Sequence, residues 1–267
     1  MTAAAPIIDT VAATSRVAKR LIVDIGALRA VGYIAEESQG SQFAAQYREI
    51  KRPLIEKALS GKAGDASREP QLIIVTSALP GDGKTFTSIN LALSMARERD
   101  VSVLLVDADA QKSHISEVFG LKAERGLLDA LVDETIDIES LIRHTNLPGL
   151  GFLPSGMAVE NATELLSSKR MQHIARSLIA GDPRRIVLLD CPPLLITSEA
   201  RALVKIAGQV VLVIRADKTP RRAAQDALTL FDEDQAVGLV LNQTAAGLTK
   251  GYYGYGYYGT ERGSSTR

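Results

Sequence analysis

The fold of this chain is decided by the stretch Ser77-Ala78-Leu79-Pro80-Gly81-Asp82-Gly83-Lys84-Thr85. An apolar run at residues 72–75 precedes it, and an amphipathic segment at 89–96 follows it. Strand, glycine-rich turn, Gly-Lys-Thr and helix is the order of a phosphate-binding loop. The glycines let backbone N–H groups approach a phosphate, and the helix N-terminus adds partial positive charge. The stretch therefore predicts a nucleotide site, although Ala78 stands where the standard motif has its first glycine.

The residues of this loop have separate predicted roles. We expect Lys84 to reach the β- and γ-phosphates and the Thr85 hydroxyl to bind Mg²⁺. The alternative is a tight strand-to-helix turn that contains Gly-Lys-Thr by chance. The predicted nucleotide-binding residues of the loop are Pro80, Gly81, Asp82, Gly83, Lys84, Thr85 and Phe86.

Aspartates follow two further apolar runs. Asp107 and Asp109 come after residues 101–106, and Asp190 comes after 186–189. Parallel strands bring their carboxyl ends to one edge of a sheet, where α/β folds bind ligands. Each aspartate alone could instead be a helix cap or turn residue. Together they predict Mg²⁺ ligands at Thr85, Asp107, Asp109 and Asp190, and catalytic roles for Lys84, Asp107 and Asp109. Asp107 is the predicted base for the incoming nucleophile.

Strands and helices alternate along the rest of the chain. Strands are predicted at 72–75, 101–106, 150–153, 186–189, 210–214 and 237–241, and the main helices at 85–98, 162–179 and 220–232. This pattern predicts an α/β fold of the P-loop NTPase type, with a mostly parallel central sheet and helices on both faces. A helix is also expected at 41–59, with a kink or restart at Pro53, and a linker at 61–70.

Composition restricts the class of protein. The 267 residues divide into an N-terminal arm, helix and linker (1–70), a P-loop domain (71–246) and a tail (247–267). The 31 basic and 31 acidic residues balance, so we expect no nucleic-acid partner. A single cysteine, Cys191, and the lack of a long apolar run or signal sequence predict a cytoplasmic protein. Cys191 is interpreted as a packing residue.

The tail is rich in glycine and tyrosine. It has almost no aliphatic residue, which predicts disorder. Five of the chain's 7 tyrosines lie there, at Tyr252, Tyr253, Tyr255, Tyr257 and Tyr258. An adhesive low-complexity segment is the alternative to a functional role for these side chains.

These motifs together resemble the bacterial tyrosine kinases of capsular and exopolysaccharide synthesis. The resemblance rests on Pro80-Gly81-Asp82-Gly83-Lys84-Thr85, on Asp107-Ala108-Asp109, on Asp190-Cys191-Pro192-Pro193 and on the terminal tyrosine cluster. It extends over about residues 41–258 and is closest to the soluble form of these autokinases. Of the family's N-terminal subunit-contact motif the chain keeps only Arg48.

The resemblance implies a fold, an activity and partners. It implies an ATP- and Mg²⁺-dependent tyrosine autokinase whose tail tyrosines are the phosphoacceptors, phosphorylated on a neighbouring subunit. Asn242 would lie on the adenine side of the nucleotide. The implied partners are a membrane chain-length regulator (a polysaccharide co-polymerase), which recruits the enzyme to the inner face of the membrane, a cognate phosphotyrosine phosphatase and further copies of the chain. Ten residues from Asn242 to Tyr252 extend about 33–36 Å, enough to reach a chain's own site or its neighbour's.

Two other functions fit parts of the pattern. A partitioning or positioning ATPase shares this type of loop, but it has a further lysine at the position of Leu79 and no terminal tyrosine run. A scaffold gated by nucleotide, without kinase activity, is the second alternative. Transfer of γ-labelled phosphate to tyrosine distinguishes both from a kinase.

Overall fold

The computed structural model describes residues 20–34, 40–60 and 68–244. Its centre is a seven-stranded sheet in the order β3-β4-β2-β5-β1-β6-β7. All neighbouring strands are parallel except β3 and β4 at one edge. The predicted α/β class with a mostly parallel sheet is confirmed.

The strands are β1 (Glu69–Ser77), β2 (Ser102–Asp107), β3 (Arg143–His144), β4 (Leu150–Leu153), β5 (Arg185–Asp190), β6 (Ala207–Arg215) and β7 (Ala236–Asn242). The helices are α1 (Ile25–Ala30), α2 (Gly40–Leu59), α3 (Lys84–Met95), α4 (His114–Val118), α5 (Leu127–Val132), α6 (Ala162–Leu166), α7 (Lys169–Ala180), α8 (Ser198–Ile206) and α9 (Arg221–Leu228), with a 3₁₀ turn at Ile138–Leu141.

Both faces of the sheet are covered by helices. Successive side chains of a strand point to opposite faces, so β1 places Ile74 in one apolar cluster and Ile73 in the other. The first cluster includes residues of α5, α7, α8 and α9. The second includes residues of α1, α2, α3 and α4. Strands buried on both faces explain the continuous apolar runs in the sequence.

The N-terminal helix is part of this architecture. Helix α2 packs on the second face through Tyr47 and Leu54, and it passes Pro53 as a single helix instead of restarting there. Lys51 is buried, and its ammonium contacts the Ser94 carbonyl at 2.7 Å, near the end of α3, and Glu98 at 2.6 Å. A cation at the C-terminal end of a helix stabilises its carbonyl groups. Arg48, the retained residue of the subunit-contact motif, is exposed.

Several predicted boundaries differ from the structure. The segment predicted as one helix at 162–179 is two, α6 and α7, because the Ser168 side chain accepts the Met171 N–H and starts a new helix. Strand β1 begins at Glu69, inside the predicted linker, where Glu69 pairs with Ala207. Helix α8 and the short β3 were not predicted.

Candidate active site

The phosphate loop joins β1 to α3 at the carboxyl edge of the sheet. Gly81 and Gly83 have φ of 85° and 100°, a region that favours glycine. At Gly83 a Cβ atom would lie 1.9 Å from the Asn242 side-chain nitrogen, so only glycine fits there without displacing that amide. Helix α3 starts directly afterwards at Lys84. Its first turn leaves backbone N–H groups available to an anion.

Asp82 connects this loop to two other parts of the sheet edge. Its carboxylate accepts the Leu79 N–H at 3.0 Å and the Thr219 hydroxyl, from the turn between β6 and α9. Its backbone carbonyl accepts the Asn242 side-chain amide at 2.9 Å, from the end of β7. These bonds fix the loop to the turn that follows β6 and to the end of β7. They also place Asn242, predicted on the adenine side, against the phosphate loop.

Lys84 lies among buried carboxylates. Its ammonium is 2.8 Å from Asp109 and 3.8 Å from Asp190. Burial alone would lower the pKa of Lys84, but the charges of Asp190 and Asp109 outweigh it and raise the pKa above its ordinary value. The ammonium therefore stays charged and neutralises part of the acidic cluster.

Asp190 accepts hydrogen bonds from the first two turns of α3. The Thr85 hydroxyl donates to it at 2.8 Å and the Ser88 hydroxyl at 2.9 Å. Burial raises the pKa of Asp190, while Lys84 and these hydroxyls oppose that rise. The sequence pattern predicted the proximity of Thr85 and Asp190 but missed Ser88. The spacing in the sequence could have identified Ser88, because it follows Thr85 by about one helical turn and so lies on the same face of α3.

Asp107 lies beside Asp190 in the register of β2 and β5 and is fully buried. One of its oxygens accepts both the backbone N–H and the hydroxyl of Ser116, at 2.8 and 2.7 Å. The other accepts only a longer bond, 3.3 Å, from the Asp109 N–H. Burial, with a contribution from Asp190, raises the pKa of Asp107 to about 6.

The residues present fit a nucleotide with Mg²⁺. Within residues 20–34, 40–60 and 68–244, no group of three or more His, Cys, Asp or Glu side chains could hold a metal ion on its own. Mg²⁺ is commonly held by one or two carboxylates, with waters and substrate phosphates as the remaining ligands. The Thr85 hydroxyl and the Asp190 carboxylate supply oxygen ligands of that kind next to the loop.

The remaining predicted residues have different positions. Pro80 is exposed at the tip of the loop, whereas the Phe86 ring packs edge-on against Phe43 of α2, with 5.7 Å between centroids. Cys191 is buried in the core, and burial raises the pKa of its thiol. The five predicted phosphoacceptor tyrosines lie outside the described residues.

A parallel α/β sheet with a glycine loop, a buried lysine and strand-end aspartates at one edge defines a P-loop nucleotide-binding domain. A model of the AAA domain family matches residues 71–234. Tyrosine-protein kinase YwqD of Bacillus subtilis is 34% identical over 230 residues, which cover 85% of this chain and 91% of that protein. The chain belongs to the bacterial tyrosine-protein kinases, and its class of enzyme is a protein-tyrosine kinase.

Two further comparisons agree with this assignment. Tyrosine-protein kinase wzc of Salmonella typhimurium is 32% identical over 202 residues, covering 73% of this chain but 27% of that longer protein. The kinase domain of Escherichia coli tyrosine kinase ETK is 25% identical, with a TM-score of 0.61 over 80% of each chain. Among the described residues, no helix combines the length and apolar character needed to cross a bilayer.

Proposed function

We propose that this kinase uses ATP and Mg²⁺ to phosphorylate the tyrosine cluster of its own C-terminal tail, on a neighbouring copy of the chain. The acceptors would be Tyr252, Tyr253, Tyr255, Tyr257 and Tyr258. Phosphorylation of the tail would regulate the polymerisation and export of an exopolysaccharide.

One observation supports this proposal above the others: the active-site cluster lies at the same edge of the sheet as the end of β7, the strand that precedes the tail in sequence. Lys84, Thr85, Asp109 and Asp190 lie within hydrogen-bond or ion-pair contact of one another. Asn242, the last residue of β7, is bonded to the phosphate loop. The described chain therefore ends close to the residues that would act on the tail, which supports the proposal.

The side chains have separate tasks in this proposal. ATP with Mg²⁺ supplies the phosphoryl group and neutralises its charge. Lys84 would exchange its contact with Asp109 for a phosphate oxygen, and Thr85 with Asp190 would hold the metal. Asp107 has one oxygen with a single long hydrogen bond and a raised pKa of about 6, which suits a base near neutral pH. It would accept the proton of the incoming tyrosine hydroxyl.

Partners would control where and when this happens. We propose that a membrane chain-length regulator recruits the chain to the inner face of the membrane and activates it, and that a phosphotyrosine phosphatase reverses the modification. Copies of the chain would associate, since transfer between subunits requires contact.

Truncation after Lys250 tests the assignment of the acceptors. Incubation with γ-labelled ATP and Mg²⁺ should label the full chain on tyrosine, while the truncated chain should lose most of the label and bind ATP as before. Tyr33 and Tyr47 remain in that variant. Undiminished labelling of the truncated chain would show that the acceptors lie elsewhere, and hydrolysis of ATP without tyrosine labelling of the full chain would favour an ATPase or scaffold.

A further inference from the structure

Strand β7 forms one edge of the sheet. It pairs in parallel with β6 along its whole length, from Gln209 with Ala236 to Arg215 with Asn242. Within the described residues no strand pairs with its outer side. An edge strand of this kind presents unpaired backbone N–H and C=O groups to any extended segment nearby.

The same strand carries exposed leucines on one face. Leu239 and Leu241 are 60% and 57% exposed. They stand beside Leu212 and Ile214 of β6, whose side chains belong to or pack against the first apolar cluster. These leucines therefore continue the apolar face of the sheet beyond the part that the helices cover.

The tail has the pattern that such an edge requires. Tyr253, Tyr255 and Tyr257 alternate with Gly254 and Gly256. In an extended strand this alternation puts the three rings on one face and the glycines on the other. Residues 243–251 separate the end of β7 from the tyrosine cluster, and Gln243, directly after β7, has a φ of 56°, a turn conformation.

We propose that the unphosphorylated tail folds back on its own chain as an antiparallel strand against β7. Tyr253 then lies opposite Leu241, Tyr255 opposite Leu239 and Tyr257 opposite Val237. Residues directly opposite each other in an antiparallel pair share a face, so the rings cover the exposed leucines. An antiparallel edge strand on a parallel sheet is common, and β3 is one at the other edge. The pairing supplies the apolar partner that the tail lacks by itself.

Docking of this kind makes the tail a switch, a consequence that rests on the proposed autophosphorylation. A phosphotyrosine carries a charge of about −1.5 to −2 and cannot lie on leucine side chains without losing hydration. Phosphorylation would therefore release the tail and expose the edge of β7 to partners. The docked form also holds the acceptor rings away from the chain's own active site, which favours transfer between chains.

A pair of introduced cysteines tests the register in the full chain, after phosphatase treatment and without nucleotide. Directly opposite Cα atoms lie about 4.5–5.5 Å apart, within the range of a disulfide. Leu239→Cys with Tyr255→Cys should form an intramolecular disulfide with oxidised glutathione at least about ten times faster than Leu239→Cys with Tyr252→Cys. Tyr252 is nearer in sequence but lies on the other face in this register, and closure of loops of such similar length differs little in entropy. The native Cys191 is buried and does not compete.

Equal rates for the two pairs would overturn the docked strand, and disulfide-linked dimers would show that the edge binds a second copy instead. Incubation with ATP and Mg²⁺ before oxidation should slow disulfide formation in the variant with Leu239→Cys and Tyr255→Cys, in proportion to the phosphate on the tail. Phosphorylated tail with an unchanged rate would overturn the switch alone. Absence of phosphate would contradict the proposed kinase function and leave the docking result, obtained without nucleotide, intact.

Discussion

At the scale of single residues, Lys84 has two roles that one substitution separates. It is a predicted phosphate ligand, and it is also the cation that neutralises the buried Asp109 and Asp190. Replacing Lys84 by Met should abolish tail labelling. It should also lower the free energy of unfolding by about 3–5 kcal/mol, since breaking a buried pair leaves an uncompensated charge.

Denaturant unfolding without nucleotide measures this effect, and a second substitution provides the control. Lys84→Met combined with Asp109→Asn should be more stable than Lys84→Met alone, because one of the two unpaired carboxylates is gone. Stability of Lys84→Met equal to that of the wild type would show that the ion pair contributes nothing in solution.

Asp107 makes stability depend on pH in a defined direction. Its pKa is about 6 in the folded chain and about 3.9 when unfolded. The folded state therefore binds the proton more tightly, and stability is lost as pH rises from about 4 to about 6. Asp107→Asn removes this loss, so its stability relative to the wild type should increase over that range, by up to about 3 kcal/mol. Urea titrations in EDTA at several pH values measure the free energy of unfolding of both proteins. If it changed equally with pH in the wild type and in Asp107→Asn, the raised pKa of Asp107 would be contradicted.

The sequence predicted which motif residues form the site, but not the side chains that hydrogen-bond to them. Gly81, Gly83, Lys84 and Thr85 follow from a local motif whose geometry depends on few neighbours. The partners belong to no motif: Ser116 is nine residues from Asp107 and Thr219 is 137 residues from Asp82, and only the folded chain brings each pair together. Likewise the pattern placed Lys84 and Asp109 at one edge, but not in an ion pair at 2.8 Å.

At the scale of elements, the phosphate loop depends on the β6–α9 turn through one hydroxyl. Thr219 donates to the Asp82 carboxylate, which in turn accepts the Leu79 N–H. Thr219→Val keeps the shape of the side chain and removes the donor to Asp82, along with the acceptor of the Arg215 N–H within the same turn. We expect ATP affinity to fall about fivefold, the equivalent of about 1 kcal/mol for one hydrogen bond, since the loop loses order.

Binding of a fluorescent ATP analogue measures the change. Thr229→Val is the matched control, because Thr229 is exposed and its hydroxyl bonds only within its own helix end. Equal affinity for ATP in the wild type and Thr219→Val would show that the loop holds its conformation without this bond.

The sequence predicted the elements that have a long apolar pattern. It missed the short elements and the breaks between elements. The buried strands β2 and β5 appear as continuous apolar runs, and both lie where the sequence placed them. The break between α6 and α7 depends on one side-chain cap at Ser168, which a helical pattern of apolar residues does not register. Strand β3 has only two residues, too few for a sequence pattern, and it forms through pairing with β4 and a bond from the Leu21 N–H to the His144 carbonyl.

At the scale of the whole molecule, the proposed phosphorylation of the tail predicts that the phosphoryl group passes between two chains and not within one. A mixture of two variants separates these routes. The donor is the chain truncated after Lys250, which keeps the active-site cluster and lacks the tail tyrosines. The acceptor is the full chain with Lys84→Met and Asp109→Asn, which keeps the tail and should be more stable than the single variant.

Neither variant should label itself, because one lacks the proposed acceptor tyrosines and the other lacks Lys84, the predicted phosphate ligand. Together with γ-labelled ATP and Mg²⁺ they should give label on the longer chain only, at a rate that rises with donor concentration. Transfer between chains is expected since a tail paired with its own β7 presents its rings at the outer edge of the sheet, two strands from the loop that follows β1. The opposite outcome has two parts: the mixture stays unlabelled, and the wild-type chain labels itself at a rate that does not depend on its concentration. Together these results would show transfer within one molecule.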